Sequence, residues 1–370
     1  MKRDRGYFLQ LLQKARSLVI KIGSAVITRD DEGLNYEVLS NLAYEVQRFL
    51  RENKRVIIVS SGAIACGRAK LNLYKKPISL SEKQALAALG QADLIHAYEE
   101  VFSKYHLKVA QVLLTSEDLS IRNRYTNARK TLQTLLNWGV VPVINENDTV
   151  ATDEIKFSDN DILSALVAIA LPAEALLILS DVDSLYAEDP RLNPQSERIG
   201  LVEEVTEAIF HMAGKKPGKL GRGGMYSKLL SAKMVTTSGI PMAILPGRTP
   251  LVFEKLFSGE EIGTVFLPQE RRLPLRKIWI RYYLKPEGKL ILDQGAVKAL
   301  LEEGRSLLMG GVKEIEGNFS REACVECHSP EGKPLAKGLV NYSSEELRRF
   351  LTEGFRPEKE IIHRDNLVLL

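Results

Sequence analysis

Lys21 closes an apolar run, Leu18-Val19-Ile20-Lys21-Ile22, and leads directly into Gly23-Ser24. A lysine at the mouth of a buried strand must be paired or neutralised, and a small-residue turn beside it lets an anion come close. Lys21 reads either as a surface lysine at a strand end or as a cation met by phosphate, and the further segments favour phosphate. A second lysine, Lys228, follows Gly221-Arg222-Gly223-Gly224-Met225-Tyr226-Ser227 at the start of a helical pattern, again delivered by glycines. Two such cations point to phosphoryl transfer, where the protein's work is positioning and spreading charge over the transferred oxygens. Loss of one such donor costs roughly 3 kcal/mol, about a hundredfold in rate.

Other polar segments follow strands in the same way. Val56-Ile-Ile-Val-Ser60 runs into Ser61-Gly62-Ala63-Ile64-Ala65-Cys66-Gly67, a small-residue turn that brings backbone N–H groups to an anion at a helix start. Its glycine spacing matches a P-loop, but Arg68-Ala69 stands where Lys-Ser/Thr is required. Gly221 to Tyr226 fails the dinucleotide fingerprint, since Tyr226 sits where the last glycine belongs. Asn145-Glu146-Asn147-Asp148 and Lys156-Phe157-Ser158-Asp159-Asn160-Asp161 read either as solvated loops with a helix cap or as a pocket for a zwitterion. In the pocket reading Asp148 meets an ammonium and Asn160 a carboxylate. Calcium-loop chemistry fails for want of the central Gly and terminal Glu. Leu177-Ile-Leu-Ser180-Asp181-Val-Asp183-Ser184 is a further strand running into a polar turn.

The elements that must hold these residues alternate from residue 17 to about 265. Strands are expected at 18–22, 56–60, 109–114, 140–145, 176–180 and 242–245, and helices at 36–53, 82–104, 122–138, 160–170 and 227–238. Continuous Val/Ile/Leu runs mean strands covered on both faces. The fold class is therefore α/β, a mainly parallel open sheet with helices on both faces, whose ligands bind beyond the carboxyl ends of the strands. Residues 1–16 are a basic extension, helical or frayed. Pro268, Pro274 and clustered basic residues mark a linker at 268–276. Residues 277–356 form a small strand-rich domain, with strands at Ile278 to Tyr283, Lys289 to Leu292 and Cys324 to His328 and a helix at 295–303; a tail of 357–370 ends the chain.

At 370 residues, 45% hydrophobic and 26% charged, the chain is of ordinary globular composition, and a formal charge of +4 permits nucleic-acid binding without implying it. The apolar run 162–179 is interrupted by Pro172 and Glu174, so it reads as helix then strand and not as a membrane span. Three cysteines and no export signal indicate a reducing cytoplasm. Cys324-Val-Glu-Cys327-His328 matches the letters of a haem attachment site, yet reads as small side chains in a strand.

These segments, in this order, resemble the amino acid kinase family, and within it the branch that phosphorylates glutamate. The resemblance rests on Val19 to Ser24, Ser60 to Ala65, Val143 to Asp148 with Asp159 to Asp161, Asp181 to Arg191, and Gly221 to Lys228. It implies transfer of the γ-phosphoryl of ATP to the side-chain carboxylate of L-glutamate, the first step toward proline. Lys21 and Lys228 would flank the phosphoryl, with Asp161 holding them. Ser61, Gly62, Asp148 and Asn160 would bind glutamate, with Gly23, Ser24 and Gly62 offering backbone N–H groups to phosphate. Lys21, Gly23, Ser24, Ser180, Asp181 and Arg222, Gly223, Gly224, Met225, Tyr226, Ser227 and Lys228 would bind ATP, with Mg²⁺ carried on its phosphates and no metal cage in the protein. Arg222, Ser184 and Ser180 depart from the family's usual residues, which puts nucleotide affinity in question and leaves the reaction intact. The resemblance also implies proline as feedback inhibitor, a glutamyl phosphate reductase as partner, and a homo-oligomer. Residues 277–356 resemble a PUA domain through Asp293 to Leu300 and Gly317 to Arg321. Its basic residues Arg281, Lys285, Lys289, Lys313 and Arg321 read more simply as a solvated face than as an RNA site. The rival reading is an RNA-binding protein with a relic kinase domain, against which the intact lysine pair speaks.

Overall fold

A computed structural model describes residues 3–29, 33–73, 79–150, 160–212, 224–270 and 273–370. The chain divides into two compact units, Met1–Arg272 and Leu273–Leu370.

The first unit is built on an eight-stranded sheet. In chain order its strands are β1 (Ser17–Ile22), β2 (Arg55–Ser60), β3 (Lys108–Leu114), β4 (Val140–Glu146), β5 (Ala175–Ser180), β6 (Leu201–Val202), β7 (Met242–Pro246) and β8 (Thr264–Phe266). The spatial order is β6-β8-β7-β5-β1-β2-β4-β3, and every neighbouring pair is parallel except β7 with β8. All six strands expected from the sequence are present; β6 and β8 are too short to carry a pattern of their own. Because β5, β1, β2 and β4 run the same way side by side, the turns after Ser180, Ile22, Ser60 and Glu146 line one edge of the sheet. Lys21 lies in register with Val59 and Ile178, in the middle of that sheet.

Helices close both faces. α1 (Arg5–Lys14) tucks Phe8 and Leu12 into the main core, so the basic extension is helical and docked. α2 (Tyr36–Arg51) is capped by Asn35 and buries Leu39, Leu42, Val46 and Phe49. α3 (Ala63–Lys70) and α4 (Leu80–Ser103), the latter opened by a Ser79–Glu82 capping box, cross with their backbones in contact. A Cβ on Gly67 would stand 2.1 Å from Leu86 O, and one on Gly90 would stand 2.0 Å from Ala63 O. Gly67 is therefore a helix-packing residue, and its place five residues after Gly62 is accounted for by that packing. α5 (Arg122–Asn137) follows β3. α6 (Asn160–Ala170) is apolar around its whole circumference and buried from Asp161 onward, and it packs against α7 (Met225–Thr237). The apolar run at 162–179 is thus a helix followed by β5; no described helix is long and apolar enough to cross a membrane. α8 (Val252–Phe257) completes the unit.

The second unit holds a five-stranded sheet. Its strands, β9 (Gly288–Leu292), β10 (Val312–Gly317), β11 (Cys324–His328), β12 (Pro334–Leu339) and β13 (Leu367–Leu369), lie in the order β10-β9-β11-β12-β13. Helices α10 (Gln294–Leu301) and α11 (Ser344–Glu353) accompany it. Ile278 to Tyr283, expected as a strand, belongs instead to helix α9 (Leu275–Tyr282), entered from Pro274. Its carboxyl end is held by Lys337, whose buried Nζ donates to the carbonyls of Arg281 and Leu284. A tertiary cation thereby overrides the β propensity of Ile, Trp and Tyr. Cys324 and Cys327 are buried strand residues, and the ring nitrogens of His328 meet Glu326 Oε2 and Gly332 O, each at 3.0 Å. Lys289 pairs with Glu316 at 3.0 Å, and Arg321 with Glu346.

Candidate active site

Asp161 sits in the first turn of α6, fully buried, and its carboxylate receives two lysines from distant parts of the chain. Lys21, from β1, contacts Oδ1; Lys228 Nζ, from the first turns of α7, donates to Oδ2 at 2.9 Å. The lysines are 5% and 7% exposed, so their charges are stable only because a carboxylate meets both. Burial alone would push the Asp161 carboxyl up; the two ammonium groups outweigh it and hold it below the ordinary carboxylate range. Two cations sharing one anion leave the trio net positive. Ser227 Oγ adds a 3.1 Å bond to Oδ2.

Above this trio opens a cavity of about 840 Å³. It is bounded by Lys21, Gly23, Ser24, Ser61, Asp181, Gly224, Met225, Tyr226 and Lys228 among the residues expected from sequence, and also by Ser184, Tyr186 and Arg191. Ser180 lies beneath it, buried, its hydroxyl accepting from Val182 N and meeting Asp181 Oδ1 at 3.3 Å. Arg222 and Gly223 lie outside the described residues, as does the segment from Lys156 to Asp159. Gly224, at φ +109, opens α7, so the turn delivering Lys228 needs a residue without a side chain there. Of the expected backbone donors, Gly23 N–H is already spent on Leu179 O at 3.1 Å, because the β1–β5 ladder continues one residue into the turn. Ser24, first residue of the short helix Ser24–Ile27, has an amide with no intrahelical acceptor. Gly62, at φ +116, turns the chain from β2 into α3 with Ile27 against it.

Asn160 precedes Asp161 on the same helix turn, so their side chains diverge by about 100°. One faces the lysines; the other reaches Ser61 Oγ at 2.8 Å, Asn145 Oδ1 at 3.0 Å and Ser60 O at 3.2 Å, all through Nδ2. Its Oδ1 is buried and accepts no hydrogen bond from the described residues. Asp148 borders a second cavity of about 340 Å³ with Gln91, Gln111, Leu113, Glu146 and Thr149. Sequence reasoning passed over Gln91 and Gln111: a lone glutamine in a long helix or strand carries no spacing signal. Asn145 was visible only as part of the polar run after β4.

A profile of the amino acid kinase family matches residues 16–246, and one of the PUA domain matches residues 288–355. The chain belongs to the amino acid kinase family. Relatives named glutamate 5-kinase resemble this amino acid kinase over almost all its length. That of Geobacter sulfurreducens is 47% identical over 369 residues, 97% of this chain and 99% of that protein. That of Thioalkalivibrio sulfidiphilus is 47% identical, covering 98% and 99%. That of Thermoanaerobacter pseudethanolicus is 44% identical, covering 95% and 97%.

Proposed function

We infer that this chain is an ATP-dependent kinase that transfers the γ-phosphoryl group to the side-chain carboxylate of L-glutamate, giving L-glutamyl 5-phosphate for proline biosynthesis. One observation carries the chemistry: two buried lysines joined by Asp161 at the base of a nucleotide-sized cavity. A glutamate carboxylate is ionised at neutral pH, so the acceptor needs no general base. What opposes the reaction is the repulsion of one anion approaching another, and a net positive trio answers that need. The carboxylate oxygen forms the new bond to phosphorus, the bond to the β,γ-bridging oxygen breaks, and ADP leaves.

In this reading Lys21 and Lys228 flank the transferred group and Asp161 fixes their nitrogens. The Ser24 amide and the helix start at Gly62 meet phosphate oxygens, and Ser180, Asp181 and the turn through Gly224, Met225, Tyr226 and Ser227 hold the nucleotide. Ser61, Asp148 and Asn160 hold glutamate. Mg²⁺ carried on the nucleotide phosphates would supply further charge neutralisation beside Lys21 and Lys228. A cytoplasmic homo-oligomer, feedback by proline at the glutamate pocket, and a reductase consuming the labile acyl phosphate belong to the same reading.

ADP release measured across a panel of amino acids tests it, with hydroxylamine present to trap the acyl phosphate as a hydroxamate. Turnover and trapping should both depend on glutamate. Release with aspartate or carbamate and none with glutamate would overturn the substrate.

A further inference from the structure

Three side-chain amides, Gln91, Asn145 and Asn160, form a continuous chain whose polarity is fixed at one point. A backbone N–H can only donate, so the Glu146 amide, 2.8 Å from the Asn145 side chain, fixes the atom it meets as Oδ1. Asn145 Nδ2 then donates to Gln91 Oε1 at 2.8 Å. On the other side Asn145 Oδ1 takes Asn160 Nδ2, which is why Asn160 is left with an acceptor to offer. Neither outer amide can flip without breaking a bond.

The consequence falls on the 340 Å³ cavity that Gln91 helps to line. With Oε1 turned to Asn145 Nδ2, the Gln91 amide has its Nε2 protons on the side away from Asn145, and none of the described residues accepts from them. Glu146 and Asp148 bring carboxylates to the same space, while no described lysine or arginine borders it. An amide donor beside acidic groups suits a zwitterion, the ammonium toward the acids and the carboxylate toward the amide.

We propose that Gln91 is a specificity-determining residue: it donates from Nε2 to the α-carboxylate of the amino-acid substrate, in an orientation set through Asn145 by the Glu146 N–H. This rests on the glutamate kinase reading. Full-length Gln91→Leu and Gln91→Glu are assayed with glutamate, with 4-aminobutyrate and glutarate as competitors. The first competitor lacks the α-carboxylate, the second the ammonium. KM for glutamate should rise about tenfold in Gln91→Leu and further in Gln91→Glu, where carboxylate would face carboxylate, with kcat within about threefold. The inhibition constant of glutarate should rise in parallel, while that of 4-aminobutyrate stays unchanged. KM within twofold of wild type in both variants overturns the proposal. So does a matching rise for 4-aminobutyrate, which would mean a loosened pocket. Gln91→Glu keeps an acceptor for Asn145 Nδ2 and carries the test should the leucine variant fail to fold. Wild-type protein without glutamate-dependent turnover would overturn the substrate reading instead, and the shifts in thermal unfolding caused by the three compounds would still decide Gln91.

Discussion

Lys228 Nζ lies 2.9 Å from Asp161 Oδ2, with the lysine 7% exposed and the aspartate fully buried. Lys21 shares the same carboxylate, so removing Asp161 strands two positive charges, whereas removing one lysine leaves an ion pair. Asp161→Asn should cost about 3–5 kcal/mol in urea unfolding, since two buried ammonium groups lose their counter-ion. Lys228→Ala leaves Lys21 and Asp161 paired and should fold, with kcat reduced about a hundredfold and KM for glutamate nearly unchanged. Full turnover by Lys228→Ala would remove the role assigned to that lysine.

The contact between α3 and α4 holds Ser61 and Gly62, which lead into α3, near Gln91 of α4, which follows Gly90 and meets Asn145. It depends on Gly90, where a Cβ would sit 2.0 Å from Ala63 O and 2.3 Å from Gly67 N. Both obstacles are backbone, so Gly90→Ala must push the helices apart. The expected loss is about 3 kcal/mol in denaturant unfolding, accompanied by weaker glutamate binding. Gly310→Ala, with nothing within 4 Å of its new methyl, should stay within about 0.5 kcal/mol of wild type and serves as control.

The lysines and the sheet were legible for related reasons. Val/Ile/Leu runs broken by glycine turns write a parallel sheet plainly, and a lysine inside such a run, as at Lys21, is conspicuous because it breaks the pattern. Gln91 breaks nothing. Its meaning comes from Asn145, 54 residues away, and from a backbone N–H that no pattern reveals. Gly67 illustrates the opposite case: its spacing from Gly62 imitates a phosphate loop, an interpretation that Arg68-Ala69 already excludes in the sequence, but its packing against Leu86 is visible only in the fold. The helix at Leu275–Tyr282 was read as a strand because local propensity favoured one, and Lys337, which holds its end, comes late in the chain.

Burial raises all three thiols, Cys66 to about 11, Cys324 to about 11 and Cys327 to about 12. The thiolate is the reactive form, so at pH 8 each is almost wholly unreactive in the folded protein. A disulfide reagent at that pH should modify none of them within minutes and all three once urea unfolds the chain. Rapid labelling of the folded protein would contradict the packing of α3 if it fell on Cys66 and of β11 if it fell on Cys324 or Cys327.

Glu45, on α2 and 3% exposed, accepts from the amides of Phe253 at 2.8 Å and Glu254 at 3.0 Å, capping α8 from a neighbouring helix. Burial pushes its carboxyl up to about 7, despite the opposing help of those two N–H groups. Between pH 4.5 and 7 the folded protein therefore holds a proton that the unfolded chain releases. By linkage this group's contribution to stability is complete below the unfolded value and declines as pH rises, the loss amounting to roughly 3 kcal/mol once pH passes 7. Glu45→Gln keeps an oxygen for the two amides and carries no charge to bury, so it should escape that loss. Urea unfolding of both proteins from pH 5 to 8 should show the variant gaining about 2–3 kcal/mol on wild type across the range. Parallel curves would mean that Glu45 ionises in the folded protein at its ordinary value, relieved of its burial by a movement of α8.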